Sequence, residues 1–257
     1  RLRTELVSRA IEGGAEARDA LERLGLSGQR VCVAAATLAP VPEGETRSDQ
    51  DVIADRERLA DALALNLSAV QRGAAVALVV DTVYGILPTA DAAAEERAAH
   101  LAEDFLQRVD TRLPALIGIG QPAESVAEIS RSRVQARRVL RVLSEHPGRR
   151  RVARLAEVET ESLLLELRDL RASRGDISST ELTRLIEYDT RNDSQLVVTL
   201  AAWLDSFGDV KSAAAASFVH PNTFRYRLRR VIEVSGINLD DPDQRFAAML
   251  ELRTRRI

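Results

Sequence analysis

The residues best suited to chemistry lie in one run, SFVHPNTFRYRLRRVIEVSG, between positions 217 and 236. Arg225, Arg227, Arg229 and Arg230 stand within six residues of one another, directly after His220, Pro221, Asn222 and Thr223. Guanidinium groups present planar forks of N–H donors that match phosphate and carbonyl oxygens, and Asn222 and Tyr226 add neutral donors and acceptors. The chemistry on offer is recognition of a polyanion; the competing reading is an ordinary solvated helix face. Arginine number cannot decide between them. Lys211 is the single lysine in the chain, so a coding bias has put arginine in almost every basic position and only placement is informative. The whole chain, with 36 basic and 39 acidic residues and a formal charge of -3, is not a general polyanion binder. A local positive field is enough.

Projected at about 100° per residue, Phe224, Leu228, Val231 and Ile232 fall on one face of a helix. Asn222, Tyr226, Arg229, Arg230 and Glu233 fall on the opposite face, with Thr223, Arg225 and Arg227 on the shoulders. Pro221 suits the first helical turn, His220 precedes it, and Gly236 is placed to end the helix. Upstream, VKSAAAAS predicts a short helix with Asp209 as its N-cap, and Ser217-Phe218-Val219 leaves only a tight connection. Two helices so joined make a helix-turn-helix, whose second helix enters a DNA major groove by its N-terminal residues. Thr223 and the N–H groups at the helix start suit phosphate oxygens. Tyr226 and Arg227, one turn on, can reach base edges. The candidate DNA-contacting residues are His220, Asn222, Thr223, Arg225, Tyr226, Arg227, Arg229 and Arg230, and the partner they imply is double-stranded DNA.

The elements that must hold this helix change character along the chain. Residues 1–27 have helical spacing broken at Gly13-Gly14 and predict a helical linker. Over 28–145 the order is a buried strand at 31–38, a helix at 51–72 and a hairpin of strands 74–80 and 83–88 turning at Asp81-Thr82. A helix at 92–110, a strand at 113–121 and a helix at 124–143 follow. That order predicts an α+β sheet domain with helices on one face. Residues 146–184 form a connecting segment, with an edge strand at 152–159, a helix at 160–172 and a break at Arg174-Gly175-Asp176. From 185 to 257 the pattern is all helix and turn. A helix at 194–206 carries Leu196, Leu200, Trp203, Leu204 and Phe207 on one face.

Other constellations are weaker. Cys32 sits in the apolar run VCVAAA and reads as a small buried hydrophobe. His100, His146 and His220 have no metal-ligand spacing, so neither metal nor cofactor is expected. A second basic group, Arg131, Arg133, Arg137, Arg138 and Arg141 followed by Arg149, Arg150, Arg151 and Arg154, reads first as a solvated face and loop. No apolar run approaches the roughly 20 residues of a membrane span, and a cytoplasmic protein without membrane contact is expected.

The C-terminal residues also carry a resemblance. Val219-His220-Pro221-Asn222-Thr223, then Tyr226-Arg227, the turn Gly236, Leu239, Asp241, Pro242, and a closing helix are similar to the C-terminal domain of PucR/CdaR-type bacterial transcription regulators. Tyr188-Asp189 and LVVTLAAWLD fit as well, while Ser217 stands where that pattern usually has leucine. Residues 28–145, notably LPALIGIGQP and SRVQARRVL, resemble the family's GGDEF-like domain. The resemblance implies a ligand-responsive, dimeric DNA-binding regulator whose sensor domain lies outside this sequence and whose small-molecule effector is unknown.

A diguanylate cyclase shares that sheet order. Its chemistry needs carboxylates for Mg²⁺ near the first strand and a Gly-Gly-Asp/Glu-Glu-Phe hairpin. Here the first strand ends Ala35-Ala36-Thr37-Leu38 and the hairpin reads VVDTVYGILP, so a catalytically inactive domain and no enzyme activity are expected. The alternative class is a small-molecule or nucleotide-binding signalling module whose C-terminal helices contact proteins.

Overall fold

The apolar run at 31–38 becomes β1 (Arg30–Leu38), the middle strand of a five-stranded sheet in the computed structural model. The structure describes residues 2–41, 44, 47–90, 93–109, 113–146, 148, 150–174 and 180–255. Pro147, Arg149 and the Gly175-Asp176 break lie outside these residues. The chain forms two compact units, Arg1–Ser162 and Leu163–Ile257.

In the first unit the remaining strands are β2 (Ala75–Val79), β3 (Thr82–Thr89), β4 (Ala115–Ile119) and β5 (Val152–Arg154), ordered β2-β3-β1-β4-β5. Every pairing is antiparallel except β4 with β5. The hairpin turns at Val80-Asp81, one residue earlier than expected, with Val80 at φ 60° and the Asp81 carboxylate accepting from Thr82 Oγ1 at 2.9 Å. Only three residues of the expected edge strand pair; a single 3-10 turn, Leu155–Glu157, follows.

The helices are α1 (Leu2–Glu12), α2 (Ala17–Arg23), α3 (Asp49–Val70), α4 (Ala94–Val109) and α5 (Val126–Glu145). They cover both faces of the sheet, which corrects the one-face expectation. Leu59, Leu63 and Leu67 of α3 and Phe105 and Leu106 of α4 pack with Cys32, Ala34, Val83, Leu87, Ile117 and Ile119. The alternate residues of β4 meet α5. A Cβ on Gly118 would stand 2.3 Å from the Ala136 carbonyl oxygen, and one on Gly120 would stand 2.1 Å from that of Ser132. The glycines of the LIGIG run therefore let two backbones touch, and Ser132 Oγ accepts from the buried Val33 N–H at 3.2 Å. The near-continuous apolar character of β1 follows from this double coverage.

The structure also differs from a linker over 1–27. Val7, Ala10, Ile11, Ala17 and Ala20 are fully buried, α1 packs on β2 and α5, and Arg3 Nη2 donates to the Ala74 carbonyl at 2.7 Å. Helical spacing predicts the helices themselves, but not the sheet that buries them.

In the second unit, α6 (Glu159–Ser173), which spans the division between units, precedes α7 (Thr180–Asn192), α8 (Leu196–Asp205), α9 (Val210–Ala216), α10 (Pro221–Ser235) and α11 (Pro242–Thr254). Leu182 and Leu185 of α7, Leu196, Leu200 and Leu204 of α8, Val231 of α10 and Ala248 of α11 make one core with Ile237 and Leu239. Among the described residues no helix is long and apolar enough to cross a membrane.

Candidate nucleic-acid interface

The start of α10 is built by its own sequence. His220 is the N-cap, with φ -67° and ψ 142°, and its Nδ1 accepts from the Asn222 N–H at 3.2 Å. Pro221 occupies the first turn, where its missing N–H is no loss. Gly236, at φ 79°, closes the helix with its N–H on the Ile232 carbonyl. The short α9 starts at Asp209, whose carboxylate accepts from the Ser212 N–H at 2.7 Å. Bonds from Ser212, side chain first and backbone second, hold that carboxyl below the usual aspartate range.

Small residues set the spacing between α9 and α10. Ala213 and Ala214 are fully buried against Phe224, with Trp203 and Val219 packed around them. Ser217 is the C-cap of α9, and its buried hydroxyl has no hydrogen-bond partner. In the turn, Phe218 sits at φ 54° and is 97% exposed. Phe207, expected on the buried face of α8, is instead 98% exposed at φ 53°. The helix stops at Asp205, so the turn takes Phe207 out of register and Trp203 fills the space beside Gly208.

The buried stripe of α10 runs through Phe224, Leu228, Val231 and Ser235. Ile232, assigned to that stripe from the sequence, lies at its margin and is 42% exposed. His220, Asn222, Thr223, Arg225, Tyr226 and Arg229 are exposed together along the first half of the helix. Arg225 Nη1 donates to Asn222 Oδ1 at 3.0 Å. Arg227 reaches off the helix, with Nη1 on Oε1 of Gln195 at 3.1 Å.

Arg230 departs from the expected outward face. Its Nη2 donates to the Tyr188 hydroxyl at 2.9 Å and its Nη1 to Glu233 at 2.6 Å. The Tyr188 bond first, then the Glu233 bond, raise its already high pKa. This guanidinium joins α10 to α7. The neighbouring Asp189 caps α8 from outside: its two oxygens accept from the N–H groups of Leu196 at 2.8 Å and Val197 at 2.7 Å. Sequence reading marked Tyr188-Asp189 as part of a resemblance and assigned it no role; Gln195 it missed altogether, having no periodicity to flag it.

In the second basic group, Arg131, Arg137 and Arg138 are exposed, and several other members are engaged within the fold. Arg141 lies 3.7 Å from Glu145, and Arg150 and Arg154 pair with Glu157 at 3.9 and 3.4 Å. Arg151 Nε donates to the Ala115 carbonyl. His100 and His146 each place Nδ1 on a main-chain carbonyl of their own helix. Burial pushes the Cys32 thiol up to about 12, which leaves it protonated and inert.

A trihelical unit with α9 and α10 as its last two helices, a capped N-terminus and an exposed donor-rich first half has the helix-turn-helix form. Residues 196–254 match the PucR C-terminal helix-turn-helix domain, and residues 9–142 match the GGDEF-like domain. The chain belongs to the PucR/CdaR-type transcription regulators. The sheet-domain match begins at residue 9, in the last turns of α1, so it takes in only the end of that helix.

Among its relatives is the DNA-binding transcriptional activator AdeR of Bacillus subtilis (strain 168), 26% identical over 142 residues, which are 55% of this chain and 33% of that protein. The carbohydrate diacid regulator of Escherichia coli (strain K12) is 35% identical over 82 residues, 31% of this chain and 21% of that protein. The chain thus spans a third or less of the length of these relatives. A solved regulator of polyketide synthase expression from Bifidobacterium adolescentis aligns with 98% of this chain and 96% of its own at 15% identity, with a TM-score of 0.44.

Proposed function

We propose that this regulator binds duplex DNA sequence-specifically through α10. The observation that carries the reading is the exposure of His220, Asn222, Thr223, Arg225, Tyr226 and Arg229 on the N-terminal half of a helix whose other side is buried. The Thr223 hydroxyl, at the start of the helix, suits a phosphate oxygen. Arg225 and Arg229 supply charge along the backbone, and Tyr226 and Arg227 face base edges. Arg230 contributes to the field from its place against Tyr188 and does not read bases. Residues 185–257 are the DNA-binding domain in this reading. The partner is double-stranded DNA, taken by a homodimer that sets two α10 helices in successive major grooves about 34 Å apart.

The sheet domain serves as a non-catalytic relay between a small-molecule effector and that dimer. Its first strand ends without a carboxylate, its hairpin tip is Val80-Asp81, and Asp81 is engaged by Thr82. That arrangement lacks the paired acids that Mg²⁺-nucleotide chemistry needs.

The test is titration of the chain against labelled duplexes from its own upstream genomic region at several salt concentrations, with Thr223→Ala and Arg227→Ala alongside. Salt-dependent binding is expected, with the log–log slope falling by about 1 when a phosphate contact is removed. An absence of binding by a chain that sediments as a dimer would favour the alternative, in which these helices contact protein.

A further inference from the structure

Among the four arginines of α10, each described side chain has a different tether. Arg225 is bonded within its own helix to Asn222, Arg230 is paired with a carboxylate, and Arg229 is exposed. Arg227 is held from another helix by an uncharged acceptor, Gln195 Oε1, at 3.1 Å. The difference matters because a carboxylate at that place would neutralise the guanidinium, whereas an amide orients it and leaves its charge. One of its five N–H donors is used, and the rest of the fork remains for a guanine edge.

Gln195 is unusually placed to act this way. It stands at the N-cap position of α8 yet makes no cap with its side chain. Asp189 has taken over that work through Leu196 and Val197. Its backbone is left-handed, φ 56° and ψ 32°, a conformation in which glycine or asparagine is usual. The backbone is held there by Thr199, whose N–H and Oγ1 both donate to the Gln195 carbonyl, at 3.1 and 2.8 Å. A side chain released from capping and fixed in direction by such a backbone is a candidate for a role outside its own helix.

We infer that Gln195 is a positioning residue for base readout: it holds the Arg227 guanidinium in the orientation that reads one base pair, without contributing to general DNA affinity. This inference rests on the DNA-binding reading above. A pre-oriented guanidinium does not have to be immobilised on binding, so losing the tether should cost about two- to tenfold in discrimination at that base pair. Binding to unrelated duplexes should hardly change.

The experiment is selection of a randomised duplex library by the full chain, with sequencing of the bound pool, for wild type, Gln195→Gly, Arg227→Ala and the double variant. Glycine at 195 removes the amide while easing the left-handed backbone, so an equal or higher thermal midpoint will separate readout from folding. The expected result is that Gln195→Gly weakens preference at the same base position that Arg227→Ala loses, and adds nothing to it in the double variant. A Gln195→Gly pool matching that of wild type would overturn the inference, as would loss at positions that Arg227→Ala retains. If Arg227→Ala itself selects the wild-type pool, the assignment of Arg227 as a reader falls and Gln195 with it. If wild type selects no sequence, the DNA-binding reading is what has failed.

Discussion

The Tyr188 hydroxyl on α7 accepts from Arg230 Nη2 on α10 at 2.9 Å, and the guanidinium carbon lies 5.4 Å from the tyrosine ring centroid. One aromatic side chain thus meets the same cation by hydrogen bond and by ring face. Because Arg230 is tied inward, Arg230→Ala should lower the urea midpoint of unfolding, and Tyr188→Phe should reproduce part of that loss. Arg229→Ala, one residue away and exposed, should leave the midpoint unchanged. Equal midpoints for Arg229→Ala and Arg230→Ala would remove the distinction between a reading face and a structural cation.

Asp189 caps a helix that begins seven residues after it. With two backbone N–H groups on its oxygens, Asp189→Ala should cost about 1–2 kcal/mol of stability. Asp189→Asn, which keeps one acceptor, should cost less. Chemical denaturation followed by the single tryptophan, Trp203, which packs in this unit, measures both.

Phe218 has no packing to lose and a backbone conformation to gain from. At φ 54° and 97% exposure, replacement by glycine removes a left-handed cost of about 1–2 kcal/mol against a backbone-entropy cost of about 0.5–1 kcal/mol. Phe218→Gly should therefore raise stability by up to about 1.5 kcal/mol. A lowered melting temperature would mean that the ring is buried against something.

Two N-cap carboxylates, on α9 and α11, should make the stability of the second unit sensitive to acid. Asp209, chiefly through Ser212, and Asp241, chiefly through the Asp243 N–H, are both held below the ordinary aspartate range. A depressed folded-state value means the stabilisation is present above the unfolded pKa of about 3.9 and is lost as pH falls through the folded value. Asparagine also caps well but does not titrate. Asp209→Asn with Asp241→Asn should thus flatten the stability profile below about pH 4 and leave it little altered at neutral pH. Denaturation midpoints across that range decide it; a wild-type slope in the double variant would assign acid sensitivity elsewhere.

Gly118 tests the contact between sheet and helix. A methyl group 2.3 Å from the Ala136 carbonyl oxygen and 2.8 Å from the Leu140 nitrogen cannot be accommodated by a rotamer change, because both neighbours are backbone. Gly118→Ala should destabilise the sheet domain by about 3 kcal/mol or more, read as a lowered urea midpoint or as loss of soluble protein. A midpoint near that of wild type would show that α5 can move away from β4.

The elements themselves were legible. Strands at 31–38, 74–80, 83–88 and 113–121 follow from apolar runs, and α10 follows from Pro221, a four-residue apolar stripe and Gly236. Local chemistry determines those features, because capping and amphipathic spacing act within a turn or two. Partnership between distant residues was not legible. Periodicity placed Arg230 on the outward face, and only the packing of α7 on α10 brought Tyr188, 42 residues earlier, within reach of a long side chain. Periodicity likewise put Phe207 among the buried residues of α8, until the end of that helix at Asp205 turned it into solvent.

The sequence by itself determined the two classes of structure, the capped helix α10 and the set of side chains on its exposed side. The tertiary structure alone decided which of those arginines is committed to the fold, which is steered by a neutral amide, and that α1 belongs to the sheet. The reason is physical. A local pattern states which side of an element leaves water, while a guanidinium reaching several ångströms from its backbone takes its partner from whatever the fold brings beside it.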